Sequence, residues 1–148
     1  MSPAGEGAFF CDTSVLVAAS DTAHQHHEAS LAVVSTARRE HAFCAAHTLA
    51  ELYAVLTATP APRRRTTADV LTNVQHAASV FTPIALNAGD YLWVLQRAGA
   101  HNVRSGQVYD ALMLKAAERA GAVTIYTWNV RHFVQMAWPG IAGRICTP

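Results

Sequence analysis

The sequence predicts an α/β domain with three layers, in which a largely parallel central sheet is flanked by helices. Two observations lead to this prediction. Short apolar runs alternate with segments of helical periodicity along the whole chain, as expected for successive βα units. Two of these runs, residues 8–11 and 122–128, are apolar on both faces, which is typical of central strands in a parallel sheet. The length of 148 residues fits a single domain, residues 1–148.

The first half of the chain contains two predicted strands and three predicted helices. One apolar run stops at Asp12 and another begins just after it, so a strand and a short helix meet there. The third helix ends at Pro60, because proline cannot continue a helix, and Pro62 reinforces the break. The predicted strands are 8–11 and 41–45, and the predicted helices are 14–19, 26–39 and 48–59.

The second half of the chain carries clearer signals at the ends of its elements. Thr66 and Asp69 have the spacing of a helix cap, and Asn87 is a typical capping residue. Gly121 suits the position that follows a helix. Pro83 places its strand at an edge of the sheet or marks the start of the strand. The predicted helices are 66–80, 88–99 and 108–120, and the predicted strands are 81–86, 122–128 and 144–147.

The composition excludes several classes of protein. The chain is 51% hydrophobic and 14% charged, which excludes a disordered segment. Its formal net charge of +1 gives no support for general binding to polyanions, so any such site must be local. No apolar run is long enough to span a membrane, and the first six residues lack the basic start of a signal peptide. We therefore expect a cytoplasmic protein.

The cysteines support the same expectation. Cys11, Cys44 and Cys146 are odd in number, and no two of them form a C-x-x-C pair. Each has apolar neighbours in the sequence. We therefore expect three buried thiols in a reducing compartment rather than disulfide bonds.

Four polar side chains follow predicted strands or open predicted helices. Asp12 and Asn129 follow the two central strands, while Glu51 and Asp110 fall in first helical turns. Because the carboxyl ends of parallel strands meet at one edge of the sheet, we expect these groups in a common cleft. Local roles also fit: a helix cap for Asp12 and a capping box with Thr48 for Glu51. Asp110 would also interact favourably with the dipole of its helix, and Asn129 is a common type of turn residue.

Carboxylates that share a cleft repel one another. Two of them about 5 Å apart repel by roughly 3 kcal/mol at an effective dielectric of about 20, so three do not stay ionised together in a dry cleft without a counterion. A hard divalent cation removes this repulsion, and Mg²⁺ needs few protein ligands because it keeps several waters. A metal-activated water can attack a phosphate ester. The pattern therefore favours phosphoryl or phosphodiester chemistry.

Four stretches of the sequence together resemble the PIN-domain family of nucleases, in particular VapC-type toxins of bacterial toxin–antitoxin pairs. The stretches are "FFCDTSVLVAAS", "HTLAELYAVLT", "VYDALMLKAAERAGA" and "IYTWNVRHF". They occur in the order and at the approximate spacing of the family, and they cover nearly the whole chain. The resemblance implies a PIN fold with an acidic pocket for Mg²⁺ or Mn²⁺, and metal-dependent endoribonuclease activity.

The resemblance also assigns roles to residues. Asp12 and Asp110 match the principal metal ligands, and Glu51 matches a third acid that binds metal or orients the attacking water. Asn129 stands where many members carry a fourth acid, which leaves the number of metal ions open. Ser14 and Thr127 would supply hydroxyls around the pocket.

The same resemblance implies partners for the protein. They are an RNA substrate, a small antitoxin that blocks the cleft and a second copy of the chain in a homodimer. An alternative is a catalytically weak PIN-like module that binds its antitoxin or RNA without cleavage, which the amide of Asn129 keeps open. No membrane partner is expected.

Basic residues and histidines offer further candidates. Arg104 precedes Asp110 and Arg131 follows Asn129, so both are placed to hold a phosphate group. The three arginines at 63–65 fit a phosphate-binding patch and a solvated loop equally well. A separate cluster suggests zinc, but no cysteine or acid completes the usual ligand spacing, so a solvated face is favoured. That cluster consists of His24, His26 and His27.

Overall fold

The computed structural model describes residues 7–148; the first six residues, on which the expectation about a signal peptide rests, lie outside this range. None of the helices in the described range is long and apolar enough to cross a lipid bilayer. The strands are β1 (Phe9–Cys11), β2 (Ala42–Ala45), β3 (Thr82–Ile84), β4 (Thr124–Tyr126) and β5 (Ile145–Cys146). The helices are α1 (Thr13–Ser20), α2 (His27–Val34), α3 (Ala46–Thr57), α4 (Thr67–Val80), α5 (Ala88–Ala100), α6 (Gln107–Arg119) and α7 (Val130–Met136).

The five strands form one parallel sheet in the order β3-β2-β1-β4-β5. β1 is central and β4 lies beside it, as the apolar character of both runs predicted. Phe10 pairs with Phe43 on one side and with Ile125 on the other. Pro83 lies in β3 at the edge of the sheet, where a proline is tolerated.

Alternation along β1 divides the core between the two faces of the sheet. Phe9 and Cys11 pack into a cluster with residues of α1, α2, α3 and α4. Phe10 packs into a second cluster with residues of α6 and α7, and α5 packs against α6. The predicted arrangement of a sheet between helical layers is therefore confirmed. It places the carboxyl ends of β1 and β4 side by side at one edge.

Three local features differ from the sequence predictions. The helix expected at residues 26–39 ends at Val34, because the chain then turns through short i to i+3 hydrogen bonds. Helix α7 was not predicted; no side chain caps its start, and the packing of the fully buried Phe133 holds it. Cys146 is exposed rather than buried, since it lies in the short edge strand β5, whereas the other two cysteines are buried free thiols.

Candidate active site

Asp12 lies where β1 ends and α1 begins. Its Oδ2 accepts hydrogen bonds from the Ser14 N–H (3.4 Å), the Ser14 hydroxyl (2.8 Å) and the Thr127 hydroxyl (3.0 Å). The first of these bonds makes Asp12 the cap of α1, so the local interpretation of this residue is correct. Asp12 is only 5% exposed, and this burial raises its pKa although the hydrogen bonds oppose the shift. The same carboxylate also lines the pocket described below.

Asp110 lies in the first turn of α6, as predicted. Burial raises the pKa of its carboxyl to about 6; the charges of Asp12 and Glu51 add to the shift, and His132 opposes it. A position in the first helical turn by itself favours the charged carboxylate, and burial beside other acids opposes that preference at Asp110. Charges shift a pKa chiefly at short range. The three acids therefore form one electrostatic cluster.

Glu51 lies in the second turn of α3, not in the first turn as predicted. The helix begins at Ala46, and the preceding residue makes no side-chain cap. Thr48 is consequently inside the helix, where it is fully buried and its hydroxyl lies 3.8 Å from the sulfur of Met113. The capping box with Glu51 does not form, because Thr48 is not the cap residue.

The carboxylate of Glu51 lies between a histidine and the pocket. His47 Nε2 is 3.3 Å from Glu51 Oε1, one helical turn away. Burial raises the pKa of Glu51, and the charge of Asp12 acts in the same direction, whereas His47 opposes the shift. Glu51 is thus the third acid of the cluster even though its position in the helix was predicted wrongly.

Thr127 and Asn129 connect the end of β4 to Asp12. Thr127 is completely buried; its hydroxyl donates to Asp12 and accepts the Asn129 N–H at 3.0 Å. The side chain of Asn129 does not cap α7. The turn role therefore accounts for the backbone of Asn129. It does not account for the side-chain amide, because Asn129 also lines the pocket.

The structure brings these side chains together in one pocket of about 490 Å³. Its lining includes the four polar residues that the sheet-edge argument placed in a common cleft, and Ser14 with them; Thr127 lies beneath, bonded to Asp12. Their catalytic and metal-binding roles stay predictions. The four are Asp12, Glu51, Asp110 and Asn129.

A second part of the lining contains aromatic side chains, including two histidines for which the sequence favoured a solvated face. His24, His26 and Trp128 also line the pocket. The His26 ring stacks on the Trp128 indole, with centroids 3.7 Å apart and an angle of 8° between the planes. Trp128 Nε1–H donates to the buried Ser30 hydroxyl at 2.8 Å. No local pattern links residues so far apart in the chain, so the sequence carried no signal for this stack.

The histidines are not arranged as a zinc site. His24 Nδ1 accepts the His26 N–H at 3.1 Å, and His27 Nδ1 lies 3.0 Å from the carbonyl of Ala18. Across residues 7–148, no three His, Cys, Asp or Glu side chains stand close enough to form a ready-made metal cage. This holds for the pocket acids as well, so a cation here would have only part of its shell from the protein.

The chemistry of the pocket fits a hard divalent cation that keeps most of its water. Its donors are carboxylate and amide oxygens, the ligands that Mg²⁺ prefers. Burial and the charges of Asp12 and Glu51 raise the pKa of Asp110, and a bound cation would act in the opposite direction. Mg²⁺ is commonly bound through one or two carboxylates, and Asp12 and Asp110 meet that requirement.

The arginines lie apart from the pocket. Arg104 and Arg131 are exposed and are not part of its lining, so their binding to phosphate stays a prediction. Arg63 forms an ion pair with Asp21 at 2.9 Å, and Arg65 donates to a backbone carbonyl at 3.3 Å. Two of the three consecutive arginines therefore hold a loop in place.

The PIN-domain profile matches residues 9–139 of the chain. This chain belongs to the PIN-domain family. Two relatives are Ribonuclease VapC40 from Mycobacterium tuberculosis strains CDC 1551 / Oshkosh and H37Rv. Each is 37% identical over 111 residues, which are 75% of this chain and 79% of the relative. The resemblance drawn from the four sequence stretches is thus confirmed.

A solved structure supports the fold of this PIN domain independently. It is VapC20 of Mycobacterium tuberculosis, described as a Sarcin-Ricin loop cleaving toxin. The match has a TM-score of 0.63 at 15% identity and covers 84% of this chain and 92% of the other. At that identity the likeness concerns the fold, so function must be argued from the pocket.

Proposed function

We propose that this PIN domain is a divalent-metal-dependent endoribonuclease and the toxin of a toxin–antitoxin pair. The observation that carries the proposal is the cluster of Asp12, Glu51 and Asp110 in one pocket, where the pKa of Asp110 is raised to about 6. The 37% identity to relatives named as ribonucleases supports RNA as the substrate.

Asp12 and Asp110 would hold a Mg²⁺ or Mn²⁺ ion. When bound, such an ion polarises a phosphate oxygen and lowers the pKa of a coordinated water. Asp12 is held in a fixed orientation by three hydrogen bonds, two from Ser14 and one from Thr127. A carboxylate that is fixed in this way does not need to reorganise when substrate arrives.

The other two polar residues would act on the attacking water. Glu51 has a carboxylate that can accept a hydrogen bond from it, and its pKa is raised, so it can take up a proton more readily than an exposed glutamate. Asn129 contributes an uncharged amide that can orient the water. In-line attack on the phosphodiester would leave a 5′-phosphate and a 3′-hydroxyl.

The decisive test is cleavage of structured RNAs by the purified protein with Mg²⁺, with Mn²⁺ and with EDTA. We expect metal-dependent cleavage that is lost in Asp12→Ala and Asp110→Ala. Asp69→Ala is the matched control, because Asp69 is an exposed first-turn aspartate outside the pocket. Binding of RNA without cleavage under every condition would instead support the catalytically weak module that Asn129 keeps open.

A cognate antitoxin and a homodimer complete the proposal. Several large apolar side chains on α5 are exposed, among them Leu92 at 60% and Leu95 at 49%, and such patches favour protein contacts. An antitoxin would block the pocket by offering a basic side chain to the acids. Sedimentation of the purified protein tests the dimer, and a monomer at all concentrations would contradict it.

A further inference from the structure

The pocket has a second wall whose residues take no part in the chemistry assigned to the acids. We call His24, His26 and Trp128 the aromatic wall. We propose that the His26–Trp128 stack is a platform on which a nucleobase of single-stranded RNA stacks beside the phosphate to be cut. The inference rests on the proposed function, because it assigns the base-binding part of the same pocket.

The stack is fixed by the fold before any ligand binds, and the His24 ring lies beside it, 5.7 Å from the His26 ring at an angle of 43°. The two rings of the stack lie 3.7 Å apart and nearly parallel. Trp128 packs against the core, and its Nε1–H is held by Ser30, which is completely buried. A platform that is ordered before the ligand arrives loses little side-chain entropy on binding.

The loop that carries His26 is also fixed by its own hydrogen bonds. Asp21 Oδ1 accepts the Ala23 N–H at 3.0 Å, and the Asp21 carbonyl accepts the His24 N–H at 2.9 Å. His24 Nδ1 in turn accepts the His26 N–H at 3.1 Å. The ion pair between Arg63 and Asp21 ties the start of this loop to the segment after α3. The backbone that carries His26 is therefore held by bonds other than the ring stack.

A single hydroxyl joins the platform to the acids. Ser14 Oγ donates to Asp12 Oδ2 at 2.8 Å and accepts the backbone N–H of Trp128 at 3.0 Å. The backbone at Trp128 and the candidate metal ligand are therefore neighbours that share one hydroxyl, and both residues line the same pocket. A phosphate at Asp12 would place an adjacent base against the aromatic wall.

The side chains of the aromatic wall are suited to bind a nucleobase rather than the phosphate backbone of RNA. A phosphate group needs positive charge, but Arg104 and Arg131 lie outside the pocket lining. Aromatic rings accept any nucleobase through its π-face, and such stacking is the usual way in which proteins hold single strands. The platform should thus contribute affinity with little preference among the four bases.

The test is binding of labelled RNA to the full protein in EDTA, measured by fluorescence anisotropy. The probes are a uridine 10-mer and an abasic 10-mer that has the same ribose-phosphate backbone. We expect the wild type to bind the uridine 10-mer about tenfold more tightly, the effect of one stacked base. Equal affinities for the two probes would overturn the proposal without any variant.

Three variants locate the effect. His26→Ala should remove most of the difference between the probes, and His26→Phe should keep it, because phenylalanine also stacks. His101→Ala is the control, since His101 is exposed and outside the pocket lining. If His26→Ala instead weakens both probes equally, the residue acts on the backbone or on the fold, and the platform assignment is wrong.

Failure of this inference can be told apart from failure of the proposed function. Base preference in EDTA together with no cleavage in Mg²⁺ would keep the platform and refute the nuclease. Cleavage in Mg²⁺ without base preference would support the nuclease and refute the platform. If both hold, His26→Ala should raise KM with little change in kcat, because it removes binding that substrate and transition state share.

Discussion

Asp90 and Asp110 are both aspartates in the first turn of a helix, yet their surroundings are opposite. Burial by itself would raise the pKa of Asp90, but the Asn87 N–H and the Arg119 guanidinium, 2.7 Å away, hold it below its usual value. Asp110 has acids as its neighbours, and burial together with their charges raises its pKa to about 6. Asp90 thus has a cationic partner and a backbone donor within the fold, whereas Asp110 forms no ion pair with lysine or arginine in residues 7–148.

The same contrast extends to the other charges of the domain. In residues 7–148, the ion pairs made by lysine and arginine all go to acids outside the pocket, namely Asp21, Asp90 and Glu118. Among the described residues, the basic side chains that oppose the raised pKa values of the pocket acids are two histidines, His47 and His132. The ion pairs of lysine and arginine thus stabilise the fold, whereas the pocket acids repel one another and a bound cation can relieve that repulsion.

The largest expected effect compares the two aspartates directly. Asp110→Asn should lower metal-dependent RNA cleavage by at least about 100-fold, since a lost metal ligand costs no less than a lost supporting residue. Asp90→Asn should keep the cleavage rate and lower the melting temperature, because it weakens the capping box of α5 and the contact with Arg119. Cleavage assays and thermal unfolding on both variants check this. Equal loss of cleavage in both variants would show that Asp90 and Asp110 do not differ in their importance for activity.

The next effect concerns the hydroxyl that holds Asp12. Thr127→Val keeps the shape of the side chain but removes one of the three hydrogen bonds to Asp12 and the acceptor of the Asn129 N–H. We expect a 10- to 100-fold loss, in the range of about 10–100 for residues that support a metal ligand. Thr127→Ser restores the hydroxyl and should recover most activity. A fully active valine variant would show that this bond does not matter for the site.

A smaller effect should appear in stability without metal. The pKa of Asp110 is about 6 in the fold against 3.8 for an ordinary aspartate, so the folded state binds the proton more tightly. Stability should therefore fall as pH rises from about 4 to 6, and stay lower above that.

Urea unfolding in EDTA measures this effect. At pH 7.5, Asp110→Asn should be more stable than the wild type by about 1 kcal/mol, allowing for solvent screening at a half-buried site. The difference should vanish near pH 4. Asp90 should behave in the opposite way, because its depressed pKa stabilises the fold above its unfolded pKa, and this stabilisation is lost as pH falls through the folded value. A stability gain in Asp110→Asn that does not change with pH would have some other cause.

The smallest effect is expected at the exposed pair of Arg63 and Asp21. Exposed ion pairs contribute little, so Arg63→Ala should lower the free energy of unfolding by less than about 1 kcal/mol. Arg64→Ala, which alters the adjacent arginine, is the control. Denaturant midpoints for both variants measure the difference. A much larger loss would mean that the loop holding His24 depends on this pair for its fold.

The sequence predicted the site best where sheet topology determines position. Asp12 and Asn129 follow neighbouring parallel strands, and Asp110 opens a helix that packs on the same sheet, so their convergence needed only the order of elements. Glu51 was assigned to the wrong turn because α3 begins after Ala45, which has no capping side chain. Helix α3 starts directly where β2 ends, at Ala46. Thr48 has the residue type of a helix cap but is buried inside the helix.

Features made by distant side chains could not be predicted in this way. Helix α7 depends on the burial of Phe133 and has no capping side chain that a sequence pattern could reveal. The His26–Trp128 stack joins a loop after α1 to the end of β4. No pattern in either segment links one ring to the other. Only the folded chain shows that they share a pocket with the acids.

The bond between Asp12 and Thr127 joins residues 115 positions apart. During translation, Asp12 leaves the ribosome well before its partner, which is added 115 residues later. The intact pocket thus cannot exist on a growing chain that stops before Thr127. If the pocket cuts RNA, a ribosome producing this protein is not exposed to its activity until Thr127 has emerged.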